Sequence, residues 1–203
     1  SATNSYNVAM GHDAGRAIST GINNTLIGGL AGDALTDADN NVAVGLNALG
    51  SDRKGSSSTA VGVSALANQD FASSTVSSNT AVGTSSGLST TTGTANTYIG
   101  VETGYANQTG SSNTFIGRSC GIAATGSSNT FIGRSSGSQM TSGSNNTILG
   151  RFQGNSGGLD MRTVSNHIIL SDGAANPRAR HNGSTWRFSA NDFGSALEFD
   201  GSQ

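Results

Sequence analysis

Three arginines, Arg118, Arg134 and Arg151, each stand directly after a glycine, at spacings of 16 and 17 residues. If those spacings mark successive turns of one coil, the guanidiniums stack at about 4.8 Å. A row of like charges that close must be solvated or bridged by anions. The simpler reading is a solvated ladder that adds solubility; the alternative is an anionic glycan groove. A second concentration lies in the last eighteen residues, where Trp186, Phe188, Phe193 and Phe199 gather, with Arg180, His181 and Arg187 close by and an Asn182-Gly183 pair between. Rings flanked by polar donors are what sugar faces and binding hot spots favour. Most of these rings are expected to pack a small β domain. Receptor contact is expected at Arg180, His181, Asn182, Trp186 and Arg187, with Trp186 the most exposed ring.

Catalytic and metal chemistry find less support. Cys120 is the only cysteine, and no histidine lies between His12 and His167 to serve as its base. Its column holds small residues, so packing explains it. Asp37-Ala38-Asp39-Asn40-Asn41 begins like a calcium loop, but Val42 replaces the required glycine and Ala48 the closing glutamate. Asp33, Asp37, Asp39, Asp52 and Asp70 could supply a carboxylate pair for glycan cleavage, yet they fall on different repeats. No catalytic residue, metal ligand or cofactor is therefore expected.

The elements that must position these residues are repeats. Gly11, Gly28, Gly45, Gly62, Gly83, Gly100, Gly117, Gly133 and Gly150 close Asn-Thr-x-apolar-Gly units at spacings of 17, 17, 17, 21, 17, 17, 16 and 17. Nine turns of one unit make a solenoid. The residue before each glycine is always apolar, from Met10 and Ile27 to Leu149, and two earlier stands Thr or Val. Such residues favour strands, and alternate positions share a face. Each unit reads as a strand, a tight turn, a second short strand and a wider Thr-Gly-Ser-Ser turn. The Asn column (Asn7, Asn24, Asn41, Asn79, Asn96, Asn113, Asn129, Asn146) reads as a hydrogen-bonding ladder rather than a ligand site.

The other strand face holds Ala9, Leu26, Ala43, Ala60, Ala81, Tyr98, Phe115, Phe131 and Ile148. Both faces are thus apolar, while a narrow coil has one interior. The Thr and Ile/Val columns are expected to point inward. The column running from Ala9 to Ile148 is expected to meet identical chains around an axis, with subunits farther apart beyond Tyr98. An inward Thr column argues against ice binding, which needs a flat exposed Thr ladder.

Composition agrees with a turn-rich β structure: 30 glycines, one proline, 33% hydrophobic and 11% charged residues among 203. A net charge of −2 without a basic run argues against nucleic acid as partner. No apolar run is long enough to span a membrane as a helix. The first residue, Ser1, without an initiator methionine, reads as the start of a fragment or processed product.

Units such as Asn41-Val42-Ala43-Val44-Gly45-Leu46-Asn47-Ala48-Leu49 and Thr109-Gly110-Ser111-Ser112-Asn113-Thr114-Phe115-Ile116-Gly117 resemble the repeat heads of trimeric autotransporter adhesins and related repeats of phage tail fibres. The resemblance covers about three-quarters of the chain. It implies an all-β, left-handed parallel β-roll, homotrimeric and without catalysis. The segment 165–188, with Asp172-Gly173 and Asn182-Gly183 as hairpin turns, resembles the region C-terminal to such repeats in tail fibres and spikes, where a cleaved intramolecular chaperone often comes next. Asn166-His167-Ile168-Ile169-Leu170 starts like another unit, with Leu170 where glycine belongs. The expected organisation is a shaft over 1–154 and a small β tip over 155–203. The expected role is that of a virion tail fibre binding a host surface glycan or lipopolysaccharide, or of an adhesin head at a bacterial surface.

Overall fold

A computed structural model describes residues 5–189 and the backbone of 198–200. Phe193 lies outside the described residues, as does the side chain of Phe199. Among the described residues there is no helix. The strands are short. They run β1 Val8–Met10, β2 Thr25–Ile27, β3 Val42–Val44, β4 Gly55–Ser56, β5 Thr59–Val61 and β6 Thr75–Val76. Then come β7 Thr80–Val82, β8 Thr97–Ile99, β9 Thr114–Ile116, β10 Thr130–Ile132 and β11 Thr147–Leu149. The chain closes with β12 Asn155–Ser156, β13 Leu159–Asp160, β14 Ile168–Ser171, β15 Pro177–His181, β16 Thr185–Phe188 and β17 Glu198–Asp200.

One sheet carries the fold, in the order β1-β2-β3-β5-β7-β8-β9-β10-β11-β14-β15-β16-β17. Its strands are parallel and in repeat register as far as β14, for example Phe115 beside Phe131 and Phe131 beside Ile148. This is a β-solenoid of about ten turns, one more than the repeat count. The tenth turn is β14, where Leu170 pairs with Leu149 and Ser171 follows where the earlier turns have glycine. The backbone N–H of His167 takes the place of an Asn-column N–H by donating to Asn146 Oδ1 at 3.0 Å. Leu170 therefore continues the apolar column. The hairpin β12–β13, inserted after Gly154, lengthens that turn and hides the period. The sheet continues past 154 and turns antiparallel from β15 onward.

The second short strand expected in each unit is absent from most turns. After each glycine the chain runs through consecutive turns, and among the described residues only β4, in the unit before the 21-residue spacing, and β6, within it, form a second parallel pair. Inter-turn bonds such as Gly121 N–H to Ser136 O at 2.8 Å hold these stretches without extended geometry.

The strand faces are the reverse of the expectation. Leu26, Ala43, Ala60, Ala81, Tyr98, Phe115, Phe131, Ile148 and Ile169 are wholly buried inside the coil of their own chain. In β2, β3, β5 and β7 to β11 the middle side chain points in and its two neighbours point out. Two apolar faces made the periodicity ambiguous.

The change from Ala to aromatic along this column is therefore settled inside the coil. Where the strand offers Ala43 or Ala60, the position four after the next glycine is Leu49 or Leu66; where it offers Tyr98, Phe115 or Phe131, that position is Gly104, Gly121 or Gly137. A Cβ on Gly121 would lie 2.6 Å from the Phe115 ring. The rings then stack along the axis, Phe115 on Phe131 with centroids 4.9 Å apart and planes within 7°.

Two further columns stitch the turns together. Asn129 N–H donates to Asn113 Oδ1 at 2.9 Å, while Asn113 Nδ2 donates to Gly126 O at 2.9 Å, so the buried Asn side chain satisfies two backbone groups of the next turn. The unit-closing glycines from Gly11 to Gly133 have φ between +130° and +137°, and Gly150 has +100°; a Cβ on Gly117 would lie 2.5 Å from Gly133 O. Only glycine allows that close approach.

Candidate functional site

Outside the buried columns, three surfaces are candidates. The first is the outward face of the sheet. Met10 is 65% exposed, Ile27 37%, Ile99 39%, Ile132 39% and Leu149 40%, with a half-exposed Thr column beside them. Leu46, Val63 and Val101, each just past its unit glycine, are also exposed. A stripe of this length exceeds the scattered apolar residues normal on a monomer surface. The Thr column, expected inside, faces outward, which removes the ground on which ice binding was set aside.

The second surface is the arginine column. Arg118 and Arg134 are exposed on adjacent turns whose backbones are joined by Ser135 N–H to Arg118 O at 2.9 Å. Neither makes an ion pair among the described residues. Arg151 leaves the pattern: Phe152 N–H bonds Ser171 Oγ at 2.8 Å, and Arg151 is half-buried with its Nε enclosed and unbonded. Two members of the row are thus exposed alike on successive turns, and the third is half-buried.

The third surface is the end of the sheet. Asp172-Gly173 lies in the β14–β15 connection and Asn182-Gly183 in the β15–β16 connection. Asp172 accepts from the N–H groups of Asn176 and Ala174, each at 2.9 Å, and pairs with Arg178. Those bonds, Asn176 foremost, hold its carboxyl well below the usual carboxylate range. Asn182 Oδ1 accepts from Thr185 N–H at 2.8 Å, pinning the tip.

The β15–β16 pair brings the five expected receptor residues into one hairpin but onto two faces. His181 stands opposite Trp186, with ring centroids 5.1 Å apart, and Trp186 stacks toward Phe188 at 6.1 Å. Through the pairing of Ile168 with His181 and Leu170 with Ala179, these rings continue the outward apolar face. Arg180 stands opposite Arg187 and beside Ile169, on the other face. Trp186 is half-buried, and Asn182 alone of the five sits at the exposed turn.

Sequence reasoning missed two features here. A groove of about 250 Å³ separates the β12–β13 hairpin from β15–β16; the pair Gly157-Gly158 between short β runs was the available signal. Inside the coil, Asp52 is fully buried, accepting from Gly55 N–H at 2.9 Å and from Gln69 Nε2, which also reaches Ser58 Oγ at 3.1 Å. Ser58 interrupts the Asn column, so Gln69 supplies the missing amide. Burial raises the Asp52 carboxyl above its ordinary value.

The residues weighed for chemistry are otherwise engaged. Cys120 Sγ–H donates to Phe131 O at 3.2 Å, and burial pushes its thiol up to about 12, far from a working nucleophile. Asp70 forks onto Arg53 at 2.8 and 2.9 Å, Asp33 meets Arg16 at 3.4 Å, Asp37 faces Lys54 at 3.9 Å, and Asp39 accepts from Ile22 N–H at 2.8 Å. No family model, curated protein or solved structure matches the chain.

Proposed function

We propose that the chain is the distal part of a phage tail fibre, a homotrimeric left-handed β-roll that presents a host-binding end. The observation that carries this reading is the outward apolar face, unbroken from Met10 to Leu170 and prolonged by His181, Trp186 and Phe188. A ladder with one residue per turn is best matched by another ladder of the same pitch, which a second copy supplies. The contact face is therefore the Thr and Ile/Val columns, not the Ala-to-Phe column now inside the coil. The antiparallel hairpins after the repeats favour the fibre over the head of a bacterial adhesin, by resemblance. Recognition of a surface glycan or lipopolysaccharide belongs to the non-repeating end, because near-identical turns offer few unique pockets. No catalysis is assigned.

Sedimentation equilibrium tests the assembly: the expected mass is three times the 20.2 kDa chain, and a monomer at micromolar concentration overturns it. Adsorption of the labelled chain to host cells tests the role. A second reading is ice binding, which the outward Thr column now favours. It requires this face to be free, so a monomer with thermal hysteresis would replace the fibre reading.

A further inference from the structure

The chain contains a single Asn-Gly pair, Asn182-Gly183, and the fold sets it at the exposed tip between β15 and β16. Gly183 N–H donates to His181 Nδ1 at 3.2 Å, so an unprotonated ring nitrogen faces the amide proton. That ring is itself braced against Trp186, with centroids 5.1 Å apart. Asn182 Oδ1 accepts from Thr185 N–H at 2.8 Å, Ser184 N–H at 3.2 Å, Ser184 Oγ–H at 3.1 Å and Thr185 Oγ1–H at 3.2 Å. Four donors around one carbonyl oxygen draw electrons from its Cγ and favour negative charge on that oxygen, as in an oxyanion hole. Gly183, at φ +93°, has no side chain to shield its nitrogen, and a Cβ there would meet only Asn166 O at 3.8 Å. Base, polarised electrophile and unshielded nucleophile are thus three consecutive residues. The rest of the chain lacks the combination. The buried ladder asparagines are followed by Thr or Val, whose branched Cβ crowds the next amide. Asp172-Gly173 carries an ionised carboxylate, held by Asn176 and Ala174 N–H and by Arg178, and an ionised carboxylate is a poor electrophile.

We propose that Asn182-Gly183 is a self-modifying site, at which His181 acts as general base for cyclisation of the Asn182 side chain onto the Gly183 nitrogen. His181 Nδ1 takes the proton from Gly183 N, and that nitrogen bonds to Asn182 Cγ. The Cγ–Nδ2 bond then breaks, and the imidazolium returns its proton to the departing nitrogen, which leaves as ammonia. The product is a five-membered succinimide. Water adds to one of its two carbonyls and opens the ring. Breaking the bond between Gly183 N and Asn182 Cγ gives aspartate; breaking the bond between Gly183 N and the Asn182 main-chain carbonyl carbon gives isoaspartate. In sum, one amide and one water become one carboxylate and one ammonia. Either product sets a negative charge at the tip, and isoaspartate also adds a methylene to a turn closed by Asn182 N–H on Thr185 O at 3.3 Å. The reaction is internal to the chain and stands apart from the fibre reading.

The test incubates the full chain at neutral pH, folded and, in parallel, unfolded in guanidinium chloride, both in ¹⁸O-labelled water. Released ammonia gives the rate, and peptide mapping by mass spectrometry places the ¹⁸O-marked carboxylate and separates aspartate from isoaspartate. The folded chain is expected to convert at Asn182 about tenfold faster than the unfolded one, less than the roughly 10²–10⁴-fold of general bases in closed sites because this tip lies in water. Hydroxylamine, which attacks the succinimide, is expected to cut the folded chain between Asn182 and Gly183. His181→Gln keeps a hydrogen-bond acceptor but has no basic nitrogen, and is expected to bring the folded rate down to the unfolded rate. Thr185→Val keeps the strand and the N–H donor while removing one hydroxyl, and is expected to slow the folded reaction about threefold. Circular dichroism confirms that both variants fold. A folded rate at or below the unfolded rate, an unchanged rate in His181→Gln, or conversion at another asparagine instead overturns the proposal. Host-cell adsorption decides the fibre reading separately: a chain that converts at Asn182 without adsorbing keeps the self-modifying site and loses the fibre.

Discussion

Exchanging Phe131 and Gly137 for the Ala and Leu of earlier turns tests whether the core is set by pairs rather than by single positions. Phe131 is wholly buried and stacked on Phe115 at 4.9 Å. Phe131→Ala removes that ring from a site with glycine at its side and little to collapse into the space. The expected cost is about 3–5 kcal/mol, or about a 10 °C fall in melting temperature for a chain of this size. Gly137→Leu alone is also damaging: its Cβ would overlap the Phe131 ring, and a non-glycine residue near φ +60° costs about 1–2 kcal/mol. The double change rebuilds the arrangement of Ala43 with Leu49, where leucine already sits at φ +51°. It is therefore expected to be more stable than either single variant, with a coupling of up to about 3 kcal/mol. Thermal and denaturant melts of the full chain, followed by circular dichroism, complete the cycle. Additive losses would refute the pairing.

Ile132→Asp, on the outward face, is expected to lower the sedimenting mass while leaving the β signal of the chain intact; an unchanged trimer removes this face from the contact. Asp52→Asn probes the buried carboxyl. Its folded-state pKa is raised by burial, so the stability linked to Asp52 is full below the ordinary value of 3.8 and declines as pH rises through the folded value. Wild-type stability relative to Asp52→Asn should thus be greatest in acid and fall toward neutrality, and a flat difference between about pH 3.5 and 7 contradicts the burial argument. Cys120, with its thiol pushed up to about 12, is expected to resist thiol reagents at pH 8 until denaturant is added, so labelling of the native chain at the unfolded rate counts against this packing.

The period was written in the sequence. Nine glycines at nearly constant spacing, each directly after an apolar residue and three places past a Thr or Val, specify turns that stack with one strand each, because only glycine tolerates the close approach seen at Gly117. The Asn ladder was legible for a similar reason: a buried amide repeated every turn can satisfy only the backbone of its neighbours. Which face turns inward was not legible. Both faces are apolar, so hydrophobicity could not separate Phe131 from Ile132, and the answer lay in a distant partner, the glycine or leucine one turn-corner away. The tenth turn was hidden by the β12–β13 insertion, which changes the spacing but not the register of Ile169 on Ile148. The end of the sheet shows the same limit. Residues 180–187 were visible as a cluster, yet strand alternation sends Arg180 and Arg187 to one face and His181 and Trp186 to the other. The groove exists only because the β12–β13 hairpin, from an earlier part of the chain, comes to rest beside them. Spacing is a local property of the chain and survives in one dimension; the choice of face and the meeting of distant segments depend on which burial fills space best, and that is decided only when the turns close on one another.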